Sequence, residues 1–199
     1  MPHDETTTGP LGQAHRRPGE REHAVAVIVA AFAADPLMRW ALPQPATYLS
    51  AFSELADMLA GTAFGSGTAD LAGAAVALWF PPGQDLDGEA VGGLLARAVD
   101  DDRLPHVFEL LGRMSEHHPQ EEVWYLPLLG VDPFHQGRGL GSAVLAQGLA
   151  RADADHRPAY LEASSPRNRA LYERHGFTVV SEIQVGTSPP LWPMVRPAR

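Results

Sequence analysis

Residues 123–142 read VWYLPLLGVDPFHQGRGLGS, and the chain changes character twice within them. The first nine are apolar, interrupted only by Pro127 and Gly130, which is the pattern of a buried strand. Asp132-Pro133 turns the chain, and Gln136-Gly137-Arg138-Gly139-Leu140-Gly141 follows as a glycine loop. Behind the loop Leu140, Val144, Leu145 and Leu149 recur at helical spacing. A glycine loop that opens a helix is a cradle for phosphate oxygens, because the first N–H groups of a helix have no intrahelical partner. A second strand over residues 159–163 and a short helix over 166–175 complete the unit. Ser165 suits the N-cap of that helix, Pro166 its first position and Gly176 its exit.

Spacing separates this loop from its look-alikes. A dinucleotide fingerprint places G-x-G-x-x-G directly after a strand, with an acidic residue about twenty further on. Gly137 and Gly139 fit and Glu162 lies near the right distance, but Ser142 occupies the third glycine position. Residues 132–136 also separate the strand from the first glycine, and Pro133 turns the chain there. A nucleoside-triphosphate loop needs a lysine followed by Ser or Thr after its last glycine, and Leu140-Gly141-Ser142 has no lysine.

Outward from this unit the chain alternates helices and strands. Residues 22–34 read as a buried helix ended by Asp35-Pro36, with Val25, Val29 and Phe32 on one face. A further helical turn over 37–42 runs into Pro43 and Pro45, and residues 48–64 carry Phe52, Leu55, Met58 and Leu59 at helical spacing. Residues 71–80 read as one strand stopped by Pro81-Pro82-Gly83. Helices over 88–99 and 104–117 follow, and after Phe177 come strands over 178–185 and 191–195. The order is that of a single α/β domain over residues 22–199. Residues 1–21 are polar and turn-rich and read as a disordered arm.

With 199 residues, 45% of them hydrophobic, the chain is long enough for one substantial core. A formal net charge of −9 argues against a nucleic-acid partner held by phosphate neutralisation. There is no cysteine, which removes disulfides, thiolate metal sites and a cysteine nucleophile from consideration. His117-His118 has no partner at ligand spacing, so no metal is expected. The start of the chain has no apolar run of the secretory type, and the run over 24–34 is too short to span a bilayer. A cytoplasmic monomer or homodimer, with no membrane partner, is the expectation.

The spacing Q-x-x-G-x-G, here Gln136, Gly139 and Gly141 after a strand ending Gly130-Val131-Asp132-Pro133, resembles the acyl-CoA-binding motif of the GNAT superfamily of N-acyltransferases. The strand–helix unit that follows is similar to the family's next block. Ala30-Ala31-Phe32-Ala33 with Asp35-Pro36, the strand from Gly73 to Trp79, Trp124-Tyr125-Leu126, Tyr160-Leu161-Glu162-Ala163-Ser164 and Pro166-Arg167-Asn168 through Phe177 are similar to the puromycin N-acetyltransferase branch.

The resemblance implies a mixed, mainly antiparallel central sheet with a splayed strand pair, flanked by helices. It also implies an acetyl-CoA co-substrate and a small-molecule primary amine as acceptor, such as an antibiotic. Leu129 and Val131 would contribute main-chain bonds to the pantetheine arm, with Pro127 or Gly130 marking the bulge of that strand. Residues Gln136, Gly137, Arg138, Gly139, Leu140, Gly141 and Ser142 would hold the pyrophosphate, and Asn168 the coenzyme A arm. Tyr172, four residues on and on the same helix face, would donate a proton to the departing thiolate. Glu162 is the first candidate for the base that deprotonates the amine, with Glu121, Glu122 and His118 behind it. Trp40, Trp79, Trp124 and Tyr125 are candidate walls of the acceptor pocket. Acetylation of a polyamine, amino acid or protein amine, and a non-catalytic acyl-CoA-binding module, are the alternatives. The family opens with a β-strand, for which residues 15–22 offer no convincing signal.

Overall fold

The computed structural model describes residues 19–199. Most of the expected arm therefore lies outside the described residues; Gly19 forms a turn and Glu20 already begins the first helix. Four helical pieces come first: α1 (Glu20–Ala31), α2 (Pro36–Ala41), the single turn α3 (Pro45–Thr47) and α4 (Ser53–Gly65), which a π-helical turn (Tyr48–Phe52) joins to α3. Asp35 starts α2 by accepting hydrogen bonds from the Leu37 and Met38 N–H groups, both 3.0 Å long. Among the described residues no strand precedes α1.

The stretch read as one strand over 71–80 is a hairpin, β1 (Ala69–Ala72) and β2 (Ala75–Phe80). Gly73, at φ +61°, makes the turn, a conformation that glycine adopts without steric cost. Next come α5 (Gly88–Ala98), α6 (Leu104–His117), β3 (Trp124–Val131), α7 (Leu140–Ala154), β4 (Ala159–Ala163) and α8 (Pro166–Arg174). The last strands are β5 (Thr178–Val179) and β6 (Trp192–Arg196). The strand expected over 178–185 is confined to its first two residues, plus one bridge between Ile183 and Leu191.

The six strands lie in the order β1-β2-β3-β4-β6-β5. All neighbours are antiparallel except β3 and β4, which α7 joins as a parallel crossover. One face of the sheet packs on α1 and α4, burying Val76, Leu78, Phe80 and Leu128 with Ile28, Phe52 and Leu59. The other packs on α7 and α8, burying Ala77, Trp79, Trp124, Leu126 and Leu161 with Val144, Leu145, Leu149 and Tyr172.

A bulge in β3 sets the phase of the site. The β2–β3 register runs from Ala75↔Val131 to Leu78↔Leu128 and resumes at Phe80↔Tyr125, so Leu126 and Pro127 together oppose Trp79. Proline has no N–H for the ladder, which explains why the irregularity falls at Pro127 rather than at Gly130. The extra residue reverses the alternation. Trp124 and Leu126 face α7 and α8, whereas Leu128, two residues on, faces the opposite layer.

β3 and β4 pair only at Trp124↔Ala159 and Tyr125↔Tyr160. Beyond that point the two strands part, and this is the splayed pair that the family resemblance implied. The helix between them is anchored to both flanks of the sheet. Arg151 makes a two-pronged ion pair with the buried Asp70 of β1 at 2.8 and 2.6 Å. Arg196 of β6, itself buried, does the same with Asp153 at 2.7 and 2.8 Å. No helix among the described residues is long and apolar enough to cross a membrane.

Trp79 is wholly buried directly beneath Gly148 of α7. A Cβ at residue 148 would run into the indole ring. Gly148→Ala should therefore destabilise the fold by about 2 kcal/mol through overpacking, despite the higher helix propensity of alanine, and urea unfolding followed by Trp fluorescence measures this.

Candidate active site

Two cavities flank the fork. One, of about 610 Å³, runs from the α1–α2 corner past the end of β3 to the glycine loop and α8. Leu129, Val131, Gln136, Gly137, Gly139, Leu140, Gly141, Ser142 and Asn168 all line it, so the structure brings together nine of the residues expected at an acyl-CoA site. Gly137 and Gly139 have φ of +76° and +80°, and nothing lies within 4 Å of where their Cβ atoms would sit. The backbone is therefore bare toward the cavity. Ala143 N–H bonds Gly139 O at 3.0 Å, which leaves the N–H groups ahead of it, at the positive end of the fifteen-residue α7, without intrahelical partners. This cradle fits a pyrophosphate.

Side chains stiffen the loop. Gln136 Nε2 donates to Val131 O at 3.2 Å, and Arg167 Nη1 donates to Gln136 Oε1 at 3.0 Å, tying strand end, loop and α8 together. His135 is held by Asp132 at 2.9 Å as a turn residue. Ser142 Oγ shares a hydrogen bond with His175 Nε2, so its hydroxyl is engaged and its N–H is the group left for a phosphate. Burial, with Arg174 and Arg196 nearby, lowers the pKa of His175 and favours its neutral form. Arg138 is exposed on the loop and makes no ion pair among the described residues. Arg167 and Arg174, seven residues apart and so on one face of α8, also line the cavity; sequence reasoning passed over them, although that spacing was there to be read.

Tyr172 is buried in α8 with its ring edge-on to Phe177 at 5.9 Å. Burial, reinforced by the charge of Asp35, raises its pKa and keeps the phenol protonated. Asp35 is a third residue the sequence reading did not assign to the site. It lines the glycine-loop cavity, which Tyr172 in the core beneath does not, is itself buried, and accepts a hydrogen bond from Ser164 Oγ at 2.5 Å, which joins the α1–α2 corner to the end of β4. Burial outweighs these hydrogen bonds and raises its pKa.

The other cavity, of about 520 Å³, lies on the opposite side of α2. Leu37, Met38, Trp40, Leu55, Leu59, Phe80, Val107, Leu110 and Met114 form its walls, and His118, Glu121, Glu122 and Tyr125 stand at its polar end. Trp40 and Tyr125 thus line a pocket. Trp79 and Trp124 do not, which corrects the expectation from sequence. Trp79 is wholly buried under α7, and Trp124 sits in the same core layer with Nε1 donating to Asp155 Oδ2 at 2.9 Å. Glu122 pairs with Arg157 at 2.8 Å on the surface.

Glu162 lies on β4 just past the fork, partly buried, and accepts a hydrogen bond from Tyr125 Oη at 3.0 Å. Burial pushes its carboxyl up to about 7, against the lowering effect of its hydrogen bonds. A carboxylate so tuned takes up and releases protons near neutrality.

The GNAT acetyltransferase family model matches residues 58–177, and the chain belongs to that family, whose co-substrate is acetyl-CoA. A mycothiol acetyltransferase of Clavibacter sepedonicus is 32% identical over 168 residues, covering 80% of this chain and 45% of the relative. One from Beutenbergia cavernae is 41% identical over 75 residues, covering 36% of this chain and 25% of the relative. The chain thus spans less than half the length of these curated relatives. The crystal structure of histone acetyltransferase HPA2 and related acetyltransferase from Corynebacterium glutamicum superposes with a TM-score of 0.64 at 28% identity, covering 92% of this chain and 94% of that one. The polyamine N-acetyltransferase of Drosophila melanogaster shares the fold with a TM-score of 0.59 at 18% identity, covering 90% and 95%.

The cradle's dependence on glycine is testable. Gly139→Val puts a β-branched side chain at φ +80° and sets it against the phosphate path. Calorimetry should show coenzyme A binding weakened at least about tenfold, while circular dichroism of the free protein stays unchanged.

Proposed function

We propose that this protein is an acetyl-CoA-dependent N-acetyltransferase acting on the primary amine of a small molecule with an apolar body, of which an aminonucleoside antibiotic such as puromycin is an example. The observation that carries this reading is an apolar cavity of about 520 Å³ whose wall residue Tyr125 bonds the proton-accepting carboxylate of Glu162, a residue that itself lines neither cavity. Leucine, methionine and tryptophan walls reward burial of an aromatic or aliphatic body, whereas a polyamine chain would leave its charges against them. A second reading, acetylation of the kind carried out by mycothiol acetyltransferases, draws support from the 32% identity over 80% of this chain.

In this mechanism acetyl-CoA supplies the activated acyl group. Backbone N–H groups from Gly137 to Ser142 hold its pyrophosphate, and Arg138, Arg167 and Arg174 add positive charge along the same rim. The exposed backbone of Leu129 and Val131, freed from β4 by the splay, aligns the arm. Glu162 accepts the proton that an ammonium must lose before its nitrogen attacks. Tyr172 gives its phenolic proton to the sulfur as the thiolate departs, and the second proton released from the acylated nitrogen restores the phenol. With no cysteine to carry the acyl group, the amine attacks directly within a ternary complex.

The test is thiol release from acetyl-CoA with a panel of amines that includes puromycin and agmatine; every new thiol is coenzyme A because the protein has none. Amine-dependent release, fastest with amphipathic amines, is expected. Binding of acetyl-CoA without release to any amine would favour a non-catalytic module. Tyr172→Phe should lower kcat roughly 100-fold with coenzyme binding nearly intact. Glu162 acts in its ionised form and its carboxyl titrates at about 7, so kcat/KM should rise with pH through about 7 and then level. Glu162→Gln should remove that acid limb.

A further inference from the structure

Tyr125 and Tyr160 form the last registered pair of β3 and β4. Glu162 lies two residues further along β4, on the same face as Tyr160, where the two backbones no longer pair. Across that opening Tyr125 Oη donates to Glu162 Oε2 at 3.0 Å. The first link over the fork is therefore a side chain and not a ladder bond. Its ring is held from three directions: edge-on against Phe80 at 6.1 Å, edge-on against His118 at 5.4 Å, and tilted against Tyr160 at 5.8 Å. A ring confined in this way has one direction left for its hydroxyl.

We propose that Tyr125 is the positioning residue of the catalytic base: its hydroxyl, carried by the last paired residue of β3, holds the Glu162 carboxylate in place at the fork and favours its ionised form. This rests on the assignment of Glu162 as base under the proposed function, and it gives Tyr125 a role distinct from that of a pocket wall. The groups facing Glu162 are few. Tyr125 approaches from β3 and Tyr160 from its own strand, His118 backs both rings from the end of α6, and β6 offers uncharged Pro193 as the cross-strand neighbour. The Tyr160 hydroxyl also lies within reach of the carboxylate and lowers its pKa, second to Tyr125, but it is buried and falls outside good hydrogen-bond geometry. Among the described residues no cation forms an ion pair with Glu162. The Tyr125 hydroxyl is thus the larger of the two tyrosine contributions that offset the burial of this carboxylate, and the one with a well-aligned bond.

The experiment is a carbon-13 NMR titration of the glutamate carboxyls in the full chain, with Glu162→Gln assigning the signal, run on wild type and Tyr125→Phe. The phenylalanine keeps the ring packing and deletes only the hydroxyl. The Glu162 midpoint should lie near 7 in the wild type and move up by roughly one pH unit in Tyr125→Phe. The acid limb of kcat/KM should move with it, costing roughly tenfold in rate below the limb and little above it. A midpoint that stays in place in Tyr125→Phe overturns the inference, even where the rate falls. An acid limb that survives Glu162→Gln overturns instead the base assignment beneath it. Because the titration needs no acceptor, failure to find the right amine does not blur the two. A Tyr125→Phe variant that loses its wild-type amide spectrum would be replaced by Tyr125→Met, which also lacks the hydroxyl and should show the same upward move of the midpoint.

Discussion

Two strands that pair over only two residues and then separate are the constraint on which this molecule depends. β3 and β4 meet at Trp124↔Ala159 and Tyr125↔Tyr160, and beyond those positions the β3 main chain loses its partner on that side. Unpaired backbone at the centre of a sheet is costly unless something bonds to it. Here the exposed edge opens onto a cavity that ends at the N-terminus of α7, so the same break that weakens the sheet leaves backbone groups facing that cavity. The bulge at Leu126 and Pro127 lets one strand serve both layers, facing α7 and α8 before the break and turning Leu128 to the other layer after it.

The cradle is useful only where α7 is held still. Hydrophobic packing of Val144, Leu145 and Leu149 fixes its depth but not its rotation or its slide along the sheet. Two forked arginine–aspartate pairs supply direction, one to β1 through Asp70 and one to β6 through Arg196. Arg196 is nearly inaccessible, with a side-chain exposure of 3%, so loss of its partner would strand a buried charge. Both clamps, at Arg151 and Asp153, act on the later half of the helix and leave its first turn out of the ion pairs.

Local chemistry made much of the carboxy-terminal unit legible in the sequence. The strand over 159–163 and the cap and start of the following helix fall where the residues place them, with Ser165 Oγ accepting from Asn168 N–H at 3.2 Å. The glycine loop could be read because its spacing, not its mere presence, distinguishes one phosphate ligand from another. Three features were out of reach. The hairpin within 69–80 turns on Gly73 and Ala74 alone, inside an otherwise unbroken apolar run, so periodicity saw a single strand. The facing of Trp79 and Trp124 was hidden because strands buried on both sides carry aromatics on either face, and for Trp124 the bulge in β3 decides which. The bond from Tyr125 to Glu162 joins residues 37 apart in sequence, and the buried Asp35 meets Ser164 across 129, distances at which no local pattern speaks.

The short helix α2 stands between the two cavities, with Asp35 and Pro36 on the coenzyme side and residues from Leu37 onward on the apolar side. A wall one helix thick, six residues long, is shared property. Substitutions that reshape the acceptor pocket at Leu37, Met38 or Trp40 also press on the cap that Asp35 forms and on its bond to Ser164. The shapes of the two cavities are therefore not independent, and the apolar one is free to change mainly through α5 and α6, whose side chains line it alone.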